Sequence, residues 1–319
     1  DAKEVHTTLF QMAPSKAPGV DGYTAGFFQR HWQLLKNDVT DAVLGFLNGG
    51  DLPLGLNDTS ITLIPKVRHP QKISQFLPIA LCPVLYKIVV KAIANRVRGI
   101  LDEVIGEEQS AFVPGHLITD NVLVAYESIH AIKRRKKGKN ACCAVKLDML
   151  KAYDRVEWHY LEAMLTRLGF GDAFIRLVMK CVTSVRFTIK VNGELLPYFT
   201  PSRGLRQGCP ISPYLFLLCA QGLTSLLNNF LGAYIDRGIG VSVHAPWVNH
   251  LLFVDDSLIF LSENIPSAER LNKILRIYAD CSGQAVNREK SSIFFSGNTS
   301  APIRAALKNT LGITVEAFS

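Results

Sequence analysis

A chain of 319 residues, 48% hydrophobic and 19% charged, carries enough apolar material for one large domain or two modest ones, which excludes intrinsic disorder. Lys and Arg outnumber Asp and Glu by 35 to 27, so the formal charge of +8 favours a polyanionic partner such as nucleic acid over an acidic protein surface. The seven cysteines (Cys82, Cys142, Cys143, Cys181, Cys209, Cys219, Cys281) show no C-x-x-C spacing and fit a reducing, intracellular compartment, while no apolar stretch reaches the ~18 residues that cross a bilayer.

The chain opens at DAKEVHTTLF without a methionine and closes at ITVEAFS, and so reads as a segment cut at both ends. SKAPGVDGYT (15–24) has the Pro, Gly and Asp density of a structured loop, and the following AGFFQRHWQLLKNDVTDAVLGFLNGG has helical spacing up to Gly49 and Gly50. TSITLIPK (59–66) predicts a strand. LYKIVVKAIANRVRGILDEVIG (85–106) predicts one long amphipathic helix, with Lys87, Lys91, Arg96 and Arg98 off its apolar stripe. NVLVAYESIHAI leads into the dense basic run KRRKKGKN (133–140), whose Lys133, Arg134, Arg135, Lys136 and Lys137 suit either a solvated loop or one that touches phosphates.

ACCAVKLD (141–148) predicts a short apolar strand ending at Asp148, and from about Tyr153 the apolar positions Val156, Tyr160, Leu161, Met164, Leu165 and Leu168 recur at helical spacing until Gly169. RFTIKVNGELLPYFTP (186–201) predicts a hairpin turned at Asn192-Gly193. GLRQGCPISPYLFLLCAQGLTSLLNNF joins a Gly and Pro loop to a helix, with Ser212 as N-cap and Pro213 at the first helical position. HLLFV and SLIFLS flank Asp255-Asp256 as strands, a helix covers about 266–281, and SSIFFS (291–296) is a last strand. That order predicts an α+β fold with helices on one face of a sheet.

Asp255 and Asp256 pose an electrostatic question. Asp is an ordinary turn residue, and two apolar strands need a tip. Against that, two ionised carboxylates within ~4 Å repel by several kcal/mol at an effective dielectric near 20 unless a positive group lies between them. Asp148 also closes an apolar strand; it is either a helix N-cap or a third member of the group, brought in if 141–148 pairs antiparallel with 251–254. Three hard oxygen donors suit Mg²⁺, which prefers one or two carboxylates plus substrate phosphates. Two such ions stabilise both the attacking and the leaving oxygen of a phosphoryl displacement.

KLDMLKAYDRVEW, RGLRQGCPISPYLF and HLLFVDDSLIF, in that order, resemble motifs A, B and C of reverse transcriptases, in particular those of plant LINE-type non-LTR retrotransposons. SKAPGVDGYTAGFFQRHW, ITLIPKVRHPQKISQFLPIAL, LYKIVVKAIANRV, QSAFVPGHLITDN and SGQAVNREKSSIFF resemble the same family's flanking blocks, so the resemblance runs from about residue 9 to 300. It implies a right-hand polymerase fold with an antiparallel palm sheet: fingers over 1–140, palm over 141–296 (parts of 170–210 belonging to either), and a connection towards a missing thumb over 297–319. It implies an RNA-directed DNA polymerase that uses two Mg²⁺ ions, or Mn²⁺ in their place, with an RNA template, a DNA primer and dNTPs as partners and the nucleus as its address.

By the same resemblance Asp148 and Asp255 would hold the ions, Asp256 would support them, and the Met149 main-chain carbonyl would complete the nucleotide-bound site. Tyr153 matches the aromatic gate against a ribose 2′-OH, though it also suits the start of a helix's apolar face. Gln207 and Gly208 match the motif B loop at the incoming nucleotide, or form a plain Gly/Pro connection. Lys66 and Lys290 match lysines near the triphosphate, or are solvated surface residues. One departure stands out: Leu77 occupies the place of the family's usual arginine in F-R-P-I. With no thumb, that leaves a decayed relic that binds nucleic acid without catalysis as the alternative, and an intron maturase as a third reading. The sequence leaves the oligomeric state open.

Overall fold

The computed structural model describes residues 1–138, 141–191, 193–231, 238–242 and 245–317. In chain order the helices and strands are α1 (Ala2–Phe10), α2 (Ala25–Arg30), α3 (Trp32–Leu47), β1 (Asp58–Pro65), β2 (Phe76–Leu81), α4 (Val84–Arg98), α5 (Leu101–Val104), α6 (Ile118–Arg134), β3 (Cys142–Leu147), α7 (Trp158–Arg167), α8 (Asp172–Thr183), β4 (Arg186–Val191), β5 (Glu194–Leu195), α9 (Ser212–Leu231), β6 (His250–Phe253), β7 (Asp256–Ser262), α10 (Ile265–Ser282), β8 (Ser292–Phe295), α11 (Ala301–Leu311) and β9 (Val315–Glu316). Helices and strands come in runs and not in strict alternation, which gives the mixed α+β class the sequence predicts.

Packing divides the chain into two compact units, residues 1–100 with 157–215 and residues 101–156 with 216–319. The first holds a sheet of order β2-β1-β4-β5, in which β1 pairs antiparallel with β2 and parallel with β4. The loop at 15–24 is anchored by a close backbone approach: a Cβ at Gly19 would stand 2.4 Å from the Pro83 nitrogen, so only glycine fits. The buried Arg206 donates to Asn57 Oδ1 (2.5 Å), to Thr59 Oγ1 (3.0 Å) and to the Tyr86 hydroxyl, tying β1, α4 and the loop before α9 together. Val191 and Glu194 pair across the expected hairpin, whose turn residue Asn192 lies outside the described residues.

In the second unit a five-stranded sheet runs β6-β7-β3-β8-β9. β3 lies at its centre, antiparallel to β7 and to β8, because CCAVKL is apolar at nearly every position and can be buried on both faces. One face presents Leu251, Leu258, Phe260 and Ala144, and Ile132 of α6 packs there with Cys142. On the other, Val145, Ile259 and Ile293 are fully buried.

Three local expectations change. The helix over 85–106 breaks at Gly99, whose poor helix propensity ends α4 and lets α5 start afresh. The helix from Tyr153 begins at Trp158 instead: Tyr153–Arg155 form a 3-10 turn and Val156 is extended (φ −61°, ψ 117°), so its apolar side chain reaches the core from a connection. Ser212 is the first residue of α9 and not the residue before it. None of these shifts moves the strands.

Candidate active site

β6 and β7 form a hairpin in which Phe253 pairs with Asp256, so its tip is the two residues Val254 and Asp255. Tight hairpins need a positive φ that glycine supplies cheaply. Here Val254 takes it (φ 55°), at a cost of roughly 1–2 kcal/mol for a residue with a Cβ. A β-branched residue in that region is a true outlier, and outliers of this kind gather at functional sites.

Asp148 reaches the hairpin by a different pairing from the one expected. β3 pairs with β7, not with β6: Leu147 lies opposite Ser257, so Asp148 emerges beside Asp256 at the same sheet edge. The register brings Asp148 to the same end of the sheet as Asp255 and Asp256, and the charges of the other two act on Asp255. Asp255 is exposed at the tip, yet the surrounding protein removes enough water to raise its carboxyl above the usual value, and the charges of Asp256 and Asp148 raise it further. Sequence reasoning missed Lys146, whose Nζ stands 3.3 Å from Asp256 Oδ1. Both side chains are about half exposed, so this pair adds little stability, but it offsets one of the three negative charges.

The segment after β3 is held by the turn before β8. Asp148 donates its N–H to Ser291 Oγ (3.2 Å) and accepts from Asn287 N–H (2.8 Å), while Leu150 N–H donates to the Ala285 carbonyl (2.7 Å). In this bridge Met149 faces Val286 as the non-bonded pair, which turns its own carbonyl to the opposite side. Lys290 is exposed on the same turn, one residue before Ser291. Tyr153 is half-buried, stacked on Phe216 at 4.9 Å with 11° between the rings. Burial first, and then the charge of Asp255, pushes its phenol up to about 12, so it is a neutral, fixed ring beside the carboxylates.

The other residues singled out from the sequence are placed by the first unit. Lys66 is exposed just past β1, its N–H bonded to the Gln75 carbonyl, and Leu77 lies on β2 opposite Ile64. The Gln207 carbonyl accepts from Ala80 N–H (2.9 Å), and Gly208 has φ 100°. A Cβ there would stand 3.2 Å from the Ala80 carbonyl, so the glycine has a local reason apart from any ligand. In the second unit, Lys133 and Arg134 close α6, where cations favour the helix dipole, and Arg135, Lys136 and Lys137 follow in a loop tied to Asn298. Lys139 and Asn140 of that run lie outside the described residues.

Among the described residues no three His, Cys, Asp or Glu side chains stand as a ready cage for a metal ion. The donor set nonetheless suits Mg²⁺: hard carboxylate oxygens, too few to enclose the ion, and mutually repelling until a cation joins them. No helix among the described residues is long and apolar enough to cross a membrane.

Three aspartates thus stand at one end of a mixed sheet, two of them at a two-residue hairpin. Residues 64–314 match the family model described as reverse transcriptase (RNA-dependent DNA polymerase), and the chain belongs to that family. It is 31% identical over 299 residues to an uncharacterised 149 kDa protein of transposon TX1 from Xenopus laevis (92% of this chain, 22% of that one). It is 25% identical over 304 residues to a Pol polyprotein of retrotransposable element R2 from Popillia japonica (94% and 40%). The chain thus resembles the reverse transcriptase domain of non-LTR retrotransposons and spans less than half the length of either relative. An apo telomerase structure from Candida tropicalis shares the fold, with a TM-score of 0.54, 13% identity and coverage of 88% of this chain and 57% of that one.

Proposed function

We propose that this chain is the polymerase domain of a LINE-type element of plant origin that adds dNTPs to a DNA primer 3′-OH on an RNA template. The observation that carries the reading is the meeting of Asp148, Asp255 and Asp256 at one sheet edge, with the charges of Asp256 and Asp148 raising Asp255. In the reaction the primer 3′-OH loses its proton, its oxygen bonds to the α-phosphorus, and pyrophosphate leaves. Asp148, Asp255 and the Met149 carbonyl would hold two Mg²⁺ ions, which supply Lewis-acid stabilisation of the attacking and leaving oxygens. Asp256 is paired with Lys146 at the rim of the site. Tyr153, which stacks on Phe216, would be the flat ring that excludes a ribose 2′-OH. Lys66, Lys290, Gln207 and Gly208 would meet the nucleotide, and Lys133 to Lys137 the nucleic-acid backbone. The protein would work in the nucleus.

Leu77, where the family usually has an arginine, favours a second reading, a relic that binds nucleic acid but no longer polymerises. One assay separates the two. With Mg²⁺ or Mn²⁺, an oligo-dT primer and a poly-rA template, the protein incorporates dTTP and Asp255→Ala abolishes it. Incorporation that survives the substitution refutes the site, and none from the wild type favours the relic.

A further inference from the structure

The turn that carries Asp255 is strained at Val254, and strain of this kind persists only where neighbouring groups hold it. The groups that hold it come from residues 108–121, over 130 positions away in sequence. Leu252 N–H donates to the Glu108 carbonyl (2.8 Å), and Gln109 bridges Leu252 in parallel, so this segment runs along the outer edge of β6. Asn121 Nδ2 locks the join, donating to both the Glu108 carbonyl (3.0 Å) and the Leu252 carbonyl (3.3 Å). Gln109 itself is 2% exposed. Its Oε1 accepts two main-chain bonds, from Ala111 N–H (3.0 Å) and from Val254 N–H (3.2 Å). Its Nε2 is buried without a partner, an arrangement that costs free energy.

We propose that Gln109 is a positioning residue of the polymerase site, its amide oxygen holding the Val254 N–H so that the hairpin tip keeps the conformation that presents Asp255. The inference rests on the reverse transcriptase reading for its link to catalysis, but the clamp is a property of the protein alone. Gln109 touches no reacting atom. It acts through the backbone of the residue before Asp255, and its loss lets Val254 relax out of the left-handed region and carry the carboxylate with it.

The test uses the 319-residue chain and two independent measurements. Gln109→Met keeps the side chain's length and removes both the acceptor and the orphan donor. It speeds amide hydrogen exchange at Val254 about tenfold, the loss of one main-chain bond. In primer extension the same variant lowers kcat at least tenfold, while the KM for dTTP stays within threefold and the Kd for primer–template within twofold. Gln109→Glu retains an acceptor oxygen and keeps the Val254 amide protected, so it decides the question should the methionine variant not fold. Val254→Gly removes the strain. In that background Gln109→Met costs at most a third as much in kcat as it does in the wild type. Unchanged exchange at Val254 in Gln109→Met, loss of protection in Gln109→Glu, or effects of Gln109→Met and Val254→Gly that simply multiply would each overturn the proposal. A wild type that incorporates no dTTP defeats the polymerase reading instead, and the exchange data still decide the clamp.

Discussion

His250, at the start of the strand that leads to Asp255, is fully buried, and burial lowers its ring to about 4 from an ordinary 6.5, the nearby Glu108 charge opposing only in part. Its hydrogen bonds explain how the neutral form is satisfied. Asn249 Nδ2 donates to Asn228 Oδ1, which turns Asn249 Oδ1 towards the ring as an acceptor for Nδ1–H (2.7 Å). Nε2 is then left to accept from the Thr224 hydroxyl (3.4 Å). A proton on that nitrogen removes the acceptor and buries a charge. Because the folded value lies below the unfolded one, the unfolded chain binds the extra proton between pH 6.5 and 4. Stability is therefore full above pH 6.5 and falls through that window. The drop from 6.5 to about 4, at 1.36 kcal/mol per tenfold change in proton affinity, makes the loss about 3 kcal/mol by pH 4, a large share of the ~5–15 kcal/mol typical of a folded protein. Urea denaturation at pH 7.5 and 4.5, with the wild type compared against His250→Gln, measures it. Charges remote from position 250 cancel in the comparison, so the difference reports the imidazole: the glutamine variant has the flatter profile by about 2–3 kcal/mol. Equal pH slopes refute the reasoning.

Asp255 has the opposite sign. Its carboxyl is raised above the ordinary 3.8, so the folded state disfavours the charged form and stability drops as pH rises above that value. Asp255→Asn accordingly raises the thermal midpoint in EDTA at pH 7 while abolishing incorporation, and Mg²⁺ at about 100 times its Kd stabilises the wild type by ~2.7 kcal/mol and the variant much less; a lower midpoint for the variant in EDTA contradicts the repulsion. Tyr153→Ala opens the space beside Phe216 and raises rNTP incorporation relative to dNTP at least tenfold, read from competing primer extensions. Leu77→Arg adds a charge-assisted contact worth about 1.5–3 kcal/mol and lowers the KM for dNTP about ten- to a hundredfold; an unchanged KM rules out a triphosphate near β2.

The acidic end of the sheet was legible in the sequence because its strands are short, apolar and closed by acidic residues. CCAVKL and HLLF cannot be surface helices, and an aspartate at the end of each marks where the sheet meets water. What the pattern cannot reveal is which strand pairs with which: both arms of the hairpin carry an apolar run, and the two-residue turn makes β6 and β7 neighbours without saying which of them meets β3. Lys146 escaped notice for a related reason, since its contact with Asp256 is a diagonal across strands 110 residues apart. Helix ends were misjudged where periodicity outlasts the helix, as at Val156, whose burial is that of a core residue and whose backbone is extended.

Gln109 marks the deeper limit. Within QSAFVPGH nothing distinguishes it from a solvated polar residue, because its importance lies in a main-chain N–H donated from the far side of the sheet edge. A hairpin tip built on glycine would need no such restraint, whereas one built on valine does, since its strain must be offset by bonds from elsewhere. On the proposed clamp, residue 254 and the amide at 109 act as one unit, so this chain with Val254→Gly tolerates an apolar residue at 109.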